Sequence, residues 1–193
     1  MKFQITALII LLVFYGCYFG KMMLQRKKGI QTDQIGKGKS GNAKRIELTM
    51  KLATLSVPVA EVISINQNTG CLPLWASYVG IAAAILGNLI FVISVWTMKD
   101  SWRAGVSKTD RTELVTDGIY QISRNPAFLG FDLVYLGILM MFFNWVLLFL
   151  SAFAAAMFHL QIVKVEEPFL RATFGKEYEA YREKVKRYFG WKK

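Results

Sequence analysis

The sequence predicts an all-α integral membrane protein with about five transmembrane helices, a C-terminal helical hairpin and an amphipathic cytoplasmic tail helix. Three observations carry this expectation. Hydrophobic residues make up 54% of the 193 positions and the mean hydropathy is +0.34, above the apolar share of roughly 45–50% in ordinary globular chains. The apolar residues gather in runs close to the roughly 20 that a helix needs to cross a bilayer core. The charges, 24 Lys+Arg against 13 Asp+Glu for a net +11, collect between those runs. The length suits one domain, residues 1–193. Basic residues that flank apolar runs fit anionic lipid headgroups better than nucleic acid, which is not expected as a partner. Cys17 and Cys71 are far apart and form no CxxC pattern, so no metal site and no disulfide framework is indicated.

The first span runs over residues 3–19. A cleaved signal peptide would also fit its length and Lys2, but no small-x-small site precedes the charges, so a retained anchor is favoured. The second span, 46–65, is weaker. It carries Lys51 and Glu61 near its ends, where long side chains can reach the headgroups, and Pro58, expected to kink it. The third, 74–96, is clear, with Ala76, Gly80 and Ala84 in a small-residue stripe that allows close helix approach. Spans 127–143 and 145–163 are separated only by Asn144 and should form a tight hairpin.

Basic residues set the orientation. Lys21–Glu47 holds eight Lys+Arg, Thr97–Pro126 five and Lys164–Lys193 nine, whereas the Asn66–Pro73 loop and the Asn144 turn hold none. Five spans put all three basic segments on one side, so the N-terminus is expected outside and the tail in the cytoplasm. Residues 29–42, rich in Gly, Lys and Gln, read as a mobile loop near anionic lipid. Gly38-Lys39-Ser40 lacks the earlier glycine of a phosphate-binding loop, since Asp33 stands there.

Two cytoplasmic segments, 101–130 and 164–193, concentrate the candidate chemistry. Asn125 is a natural N-cap and Pro126 a natural first-turn residue for the fourth span. Arg124 just outside that helix start makes an anion site at the membrane surface. Asp132 lies roughly 9 Å further in, where function and structural pairing are equally good accounts. Glu166-Glu167, at the exit of the fifth span, could hold a cation or a ribose diol, or could be a solvated helix start. Phe169, Leu170, Phe174, Tyr178, Tyr181, Val185 and Tyr188 space an amphipathic helix, interrupted at Gly175, on the bilayer surface or over the hairpin. His159, the only histidine, and Lys164 sit near the same face. Arg124, His159 and Lys164 are the candidate catalytic residues.

Together these segments resemble the integral membrane methyltransferases of the isoprenylcysteine carboxyl methyltransferase and phospholipid methyltransferase group. The shared pattern is Leu-Val-x-x-Gly-x-Tyr at Leu114–Tyr120, then Arg-Asn-Pro-x-aromatic-x-Gly at Arg124–Gly130. After a hairpin come Glu166-Glu167 and Phe-Gly-x-x-Tyr-x-x-Tyr at Phe174–Tyr181. The resemblance covers roughly Trp102 to Tyr188. It implies S-adenosyl-L-methionine as methyl donor, under a lid made from the tail, with Leu114, Val115, Tyr120, Asn125, Pro126, Phe128 and Glu166 lining the cofactor site and Glu167 adjoining it. It implies a lipophilic acceptor from the bilayer, either an isoprenylcysteine carboxylate or a phospholipid amine. Asn125 stands where histidine is common and Phe128 where tyrosine is usual. Ile162 stands where the isoprenylcysteine enzymes carry a substrate arginine, with Lys164 or His159 as possible substitutes. A carboxylate acceptor needs no general base, whereas an amine must shed a proton. A nicotinamide-dependent sterol-type reductase and a non-catalytic membrane protein are the alternatives of another class.

Overall fold

The computed structural model describes residues 1–106 and 113–191; positions 107–112 and 192–193, parts of the two predicted cytoplasmic segments, lie outside the described residues. The chain forms helices α1 (Lys2–Lys27), α2 (Gly41–Gln67), α3 (Leu74–Met98), α4 (Pro126–Met141), α5 (Trp145–Gln161) and α6 (Glu167–Lys184). A π-helical turn, Ile162–Glu166, joins α5 to α6. Among the described residues there is no sheet, only the isolated bridges Asp33–Ala104 and Val185–Trp191.

Among the described residues, four helices are long and apolar enough to cross a membrane: α1, α2, α3 and the one that starts at Trp145. The fourth predicted span is a shorter apolar helix of 16 residues, about 24 Å long against a hydrocarbon core of about 30 Å. Leu12, Leu52, Leu89 and Phe149 stay more than half exposed on the outer faces, as lipid-facing residues do. The protein is a multi-pass integral membrane protein.

Lipid tails are as apolar as leucine, so helix association in a bilayer depends on close packing. Here α3 and α4 supply it. A Cβ on Gly80 would lie 2.5 Å from the Gly137 carbonyl oxygen, and one on Gly87 2.7 Å from that of Gly130. The contacts advance seven residues along each helix in opposite directions, so the pair is antiparallel and nearly backbone to backbone. The predicted stripe of Ala76, Gly80 and Ala84 is thus the α4-facing surface, with Ala76 and Ala84 buried.

Two sets of contacts define the ends of the bundle. At one end the Gln4 amide donates to the Ile65 carbonyl, and Asn144 reaches Ser64 Oγ at 2.7 Å while capping α5 by accepting from the Leu147 amide. At the other, Gln25 donates to the Trp102 carbonyl and Gln161 to Glu47. The three basic segments therefore share one end of an up-and-down bundle. α2 continues through Pro58 as one helix.

The 29–42 loop differs from its expectation. Gln34 N donates to Ala104 O and Ala104 N to Thr32 O, while the Thr32 hydroxyl meets the buried Gln25 amide oxygen. Thr32 and Gln34 are buried. The loop folds against residues 102–105, because Gly29, Gly36 and Gly38 adopt positive φ and let the chain double back.

Candidate active site

A cavity of about 790 Å³ opens at the basic end and extends between α1 and α2. Leu114, Val115, Tyr120, Asn125, Pro126, Phe128, Glu166 and Glu167, the eight expected cofactor residues, all line it, as does Arg124. His159 and Lys164 do not border it; both are exposed. The His159 ring instead meets the Tyr188 hydroxyl at 2.5 Å. Ile162 is fully buried, away from the cavity lining.

The short segment before α4 and the chain after α6 are stitched together. Arg124 N donates to Lys186 O, and Gly190 N to Ile122 O. The Asn125 side chain donates to Arg187 O at 3.0 Å. Asn125 occupies the N-cap position of α4, yet its amide serves the tail, and among the described residues no side chain caps that helix. The first-turn N–H groups of α4 therefore remain available where Asn125, Pro126, Ala127 and Phe128 line the cavity.

Glu166 and Glu167 are adjacent, but side chains of successive helical residues point about 100° apart, and the two carboxylates join different networks. Glu167 pairs with Arg124 at 3.0 Å and takes two hydrogen bonds from Arg187 at 2.8 and 3.0 Å. Burial pushes its carboxyl up, but the Arg187 bond and the charges of Arg124, Arg187 and Arg182 outweigh this and hold it below the usual 4.5. Arg124 also donates to the Tyr178 hydroxyl at 2.8 Å, while its Nε, buried, has no partner among the described residues.

Glu166 lies beyond the membrane-spanning part of α5. It accepts from Gln161 Nε2 at 3.4 Å, and the same amide reaches Glu47 Oε1 at 3.3 Å. Glu47 is fully buried and paired with Lys39, and it takes the Gly36 N–H at 2.5 Å. Burial, with Glu47 adding repulsion, pushes the Glu166 carboxyl up to about 7 despite the Gln161 amide. Lys39, in the sequence a failed phosphate-loop lysine, is a structural counter-ion.

The tail helix covers the site. Gly175 (φ 50°) breaks α6 where expected. Tyr178 and Tyr181 are buried, the Tyr181 hydroxyl bonds Tyr120 O at 2.6 Å, and Leu170 and Phe174 line the cavity. The amphipathic stripe thus packs over the site.

The profile of the phospholipid methyltransferase family matches residues 75–177, more than half of the chain. The chain belongs to the phospholipid methyltransferase family. Residues 75–98 of α3, all of α4 and α5 and the first half of α6 fall inside the match. Among similar curated proteins is a probable protein-S-isoprenylcysteine O-methyltransferase from Oryza sativa subsp. indica, 32% identical over 113 residues, 58% of this chain and 59% of that protein. A protein-S-isoprenylcysteine O-methyltransferase from Schizosaccharomyces pombe is 42% identical over 72 residues, 37% of this chain and 30% of that protein. Arabidopsis thaliana protein-S-isoprenylcysteine O-methyltransferase B is 28% identical over 113 residues, 58% of this chain and 57% of that protein. The match spans less than two thirds of the length of each relative.

Sequence reasoning did not single out Glu47, Gln161 or Arg187 as site residues. Each acts through a partner distant in the chain, and no local motif marks them.

Proposed function

We propose that this family member is an S-adenosyl-L-methionine-dependent methyltransferase that acts on a lipophilic acceptor at the cytoplasmic membrane face, in the manner of the isoprenylcysteine O-methyltransferases. The observation that carries the reading is one cavity lined by all eight cofactor residues at its basic end and by apolar α1 and α2 side chains at its other end. The residues fit the donor. The Arg124 Nε and the α4 terminus, without a side-chain partner among the described residues, suit a carboxylate. Glu166 suits an ammonium or a ribose diol. Leu114, Val115 and Phe174 give apolar contact. When bound, the donor supplies an electrophilic methyl group on a sulfonium. The chain's part is to orient and to exclude water: Tyr178 and Tyr181 hold the tail over the site, so acceptor and methyl meet in a dry, aligned space. His159 and Lys164, outside the cavity, are given no contact with the reacting groups. The positive-inside pattern supports a cytoplasmic tail and an outside N-terminus, and the basic end suits anionic headgroups.

The test is saturable binding of S-adenosyl-L-methionine against NADPH to detergent-purified protein, followed by labelled methyl transfer to S-farnesylated N-acetylcysteine or phosphatidylethanolamine. Saturable donor binding with transfer to the first supports the reading. Transfer to the second alone selects the phospholipid N-methyltransferase alternative. NADPH binding alone selects a reductase, and neither ligand a non-catalytic role.

A further inference from the structure

Lys51 stands one helix turn below the apolar part of the cavity. Lys51, Leu55, Pro58 and Val62 follow each other at steps of four, three and four residues, one face of α2, and all line the cavity. The stripe rises about 16 Å from charge to apolar end. At its foot the Lys51 ammonium meets Asp33 Oδ2 at 2.7 Å.

The pair is placed in advance. Asp33 Oδ1 accepts the Ile35 N–H at 3.1 Å, and the backbone on either side is tied to Ala104. The pair is also open: Lys51 and Asp33 keep 40% and 30% side-chain exposure while lining the cavity. An ammonium has three donors, and Asp33 uses one. Among the described residues, Arg124, Lys39 and Arg103 in this region are committed. Arg124 serves Glu167 and Tyr178, Lys39 serves Glu47, and Arg103 donates to the carbonyls of Asp100 and Trp102.

We propose that Lys51 is a specificity-determining residue that binds the oxyanion of the acceptor's headgroup, with the acceptor's chain laid along Leu55, Pro58 and Val62. The acceptor is then an amphiphile that carries a carboxylate or a phosphate at the root of its apolar chain. Asp33 holds the ammonium in place and competes with the ligand for it. The inference rests on the methyltransferase reading for the word acceptor; the binding site itself does not need it.

The experiment is equilibrium binding to the full-length protein in detergent with S-adenosylhomocysteine present, so that no turnover occurs. The probes are S-farnesylated N-acetylcysteine, its neutral methyl ester, and phosphatidic acid against the neutral diacylglycerol. The expected result is at least a tenfold preference of the wild type for one of the two anionic probes over its neutral counterpart. Which probe shows it identifies the headgroup. Lys51→Met should abolish that preference, Lys51→Arg should keep it, and Asp33→Asn should raise anionic-probe affinity severalfold. S-adenosylhomocysteine affinity is expected to be unchanged in all three variants, which also reports folding. No preference in the wild type, or one that persists in Lys51→Met, overturns the proposal. Should S-adenosylhomocysteine fail to bind while the Lys51-dependent preference remains, the methyltransferase reading fails and the oxyanion site stands.

Discussion

Arg124 and Glu167 meet at 3.0 Å with side chains 5% and 8% exposed, joining the segment before α4 to the start of α6. Replacing one partner of a buried ion pair leaves the other charge uncompensated. Glu167→Ala should therefore destabilise the protein by about 3 kcal/mol, read as a fall in the thermal midpoint in detergent. Arg187 also loses its partner, so limited proteolysis should cut the tail faster. The folded carboxyl lies below its ordinary 4.5. The contribution is present above that value and is lost as pH falls through the folded pKa. An unchanged midpoint and cleavage rate would dismiss the pair as a fastener.

Glu166 gives the opposite sign. Its folded value, about 7, lies above the ordinary 4.5, so an unfolded chain loses this proton first. The Glu166 contribution to stability should decline as pH rises from about 4.5 to about 7 and then level off. Affinity for the cationic donor should rise over the last part of that window, as the carboxylate forms. Glu166→Gln should flatten both profiles, checked by titration calorimetry and thermal melts across the range.

Close approach of α3 and α4 predicts a sharp contrast between glycines. Gly137→Ala would place its methyl 2.5 Å from the Gly80 carbonyl oxygen and should cost about 1–3 kcal/mol. Gly16→Ala, in α1 with nothing within 4 Å, should be neutral or slightly stabilising. Equal melting of the two variants would contradict the backbone-to-backbone packing.

Inside the bundle Glu61 is fully buried, and neither of its oxygens has a partner among the described residues. A buried polar group without a hydrogen bond costs about 1–3 kcal/mol. Glu61→Met should then raise the melting midpoint; a lower one would mean that the carboxyl has a stabilising partner in the membrane.

Cys71 is exposed in the loop between α2 and α3, at the end of the bundle opposite the basic segments. A membrane-impermeant maleimide added outside intact cells should label it, and Cys71→Ser should abolish the signal. Labelling only after lysis would invert the proposed orientation.

The membrane architecture was legible because hydropathy and charge are written locally. The hairpin at Asn144, the helix start at Pro126 and the break at Gly175 lie where residue chemistry puts them. The eight motif residues gather in one cavity because the hairpin brings the segments before α4 and after α5 to the same end. Partner choice was not legible. Asn125 makes no side-chain cap on α4; its amide nitrogen donates instead to the Arg187 carbonyl, a partner 62 residues away. The 29–42 loop is a wall because Gln25, Thr32 and Trp102 meet from three parts of the chain. The close fit of the short α4 to α3 was not legible either, because Gly80 and Gly137 meet from separate segments.

The π turn at Ile162–Glu166 sets the angular phase between the span and the tail. It holds one residue more per hydrogen-bonded ring than the α-helix on either side. The wider turn takes up that extra residue, so deleting one residue there would restore an unbroken α-helix and leave everything beyond it at nearly the same angle. A deletion inside the α-helical part of α5 has no such slack and would turn Glu167 by about 100° off Arg124. The five positions thus act as a buffer for the site, absorbing a change in chain length that residue-by-residue comparison overlooks.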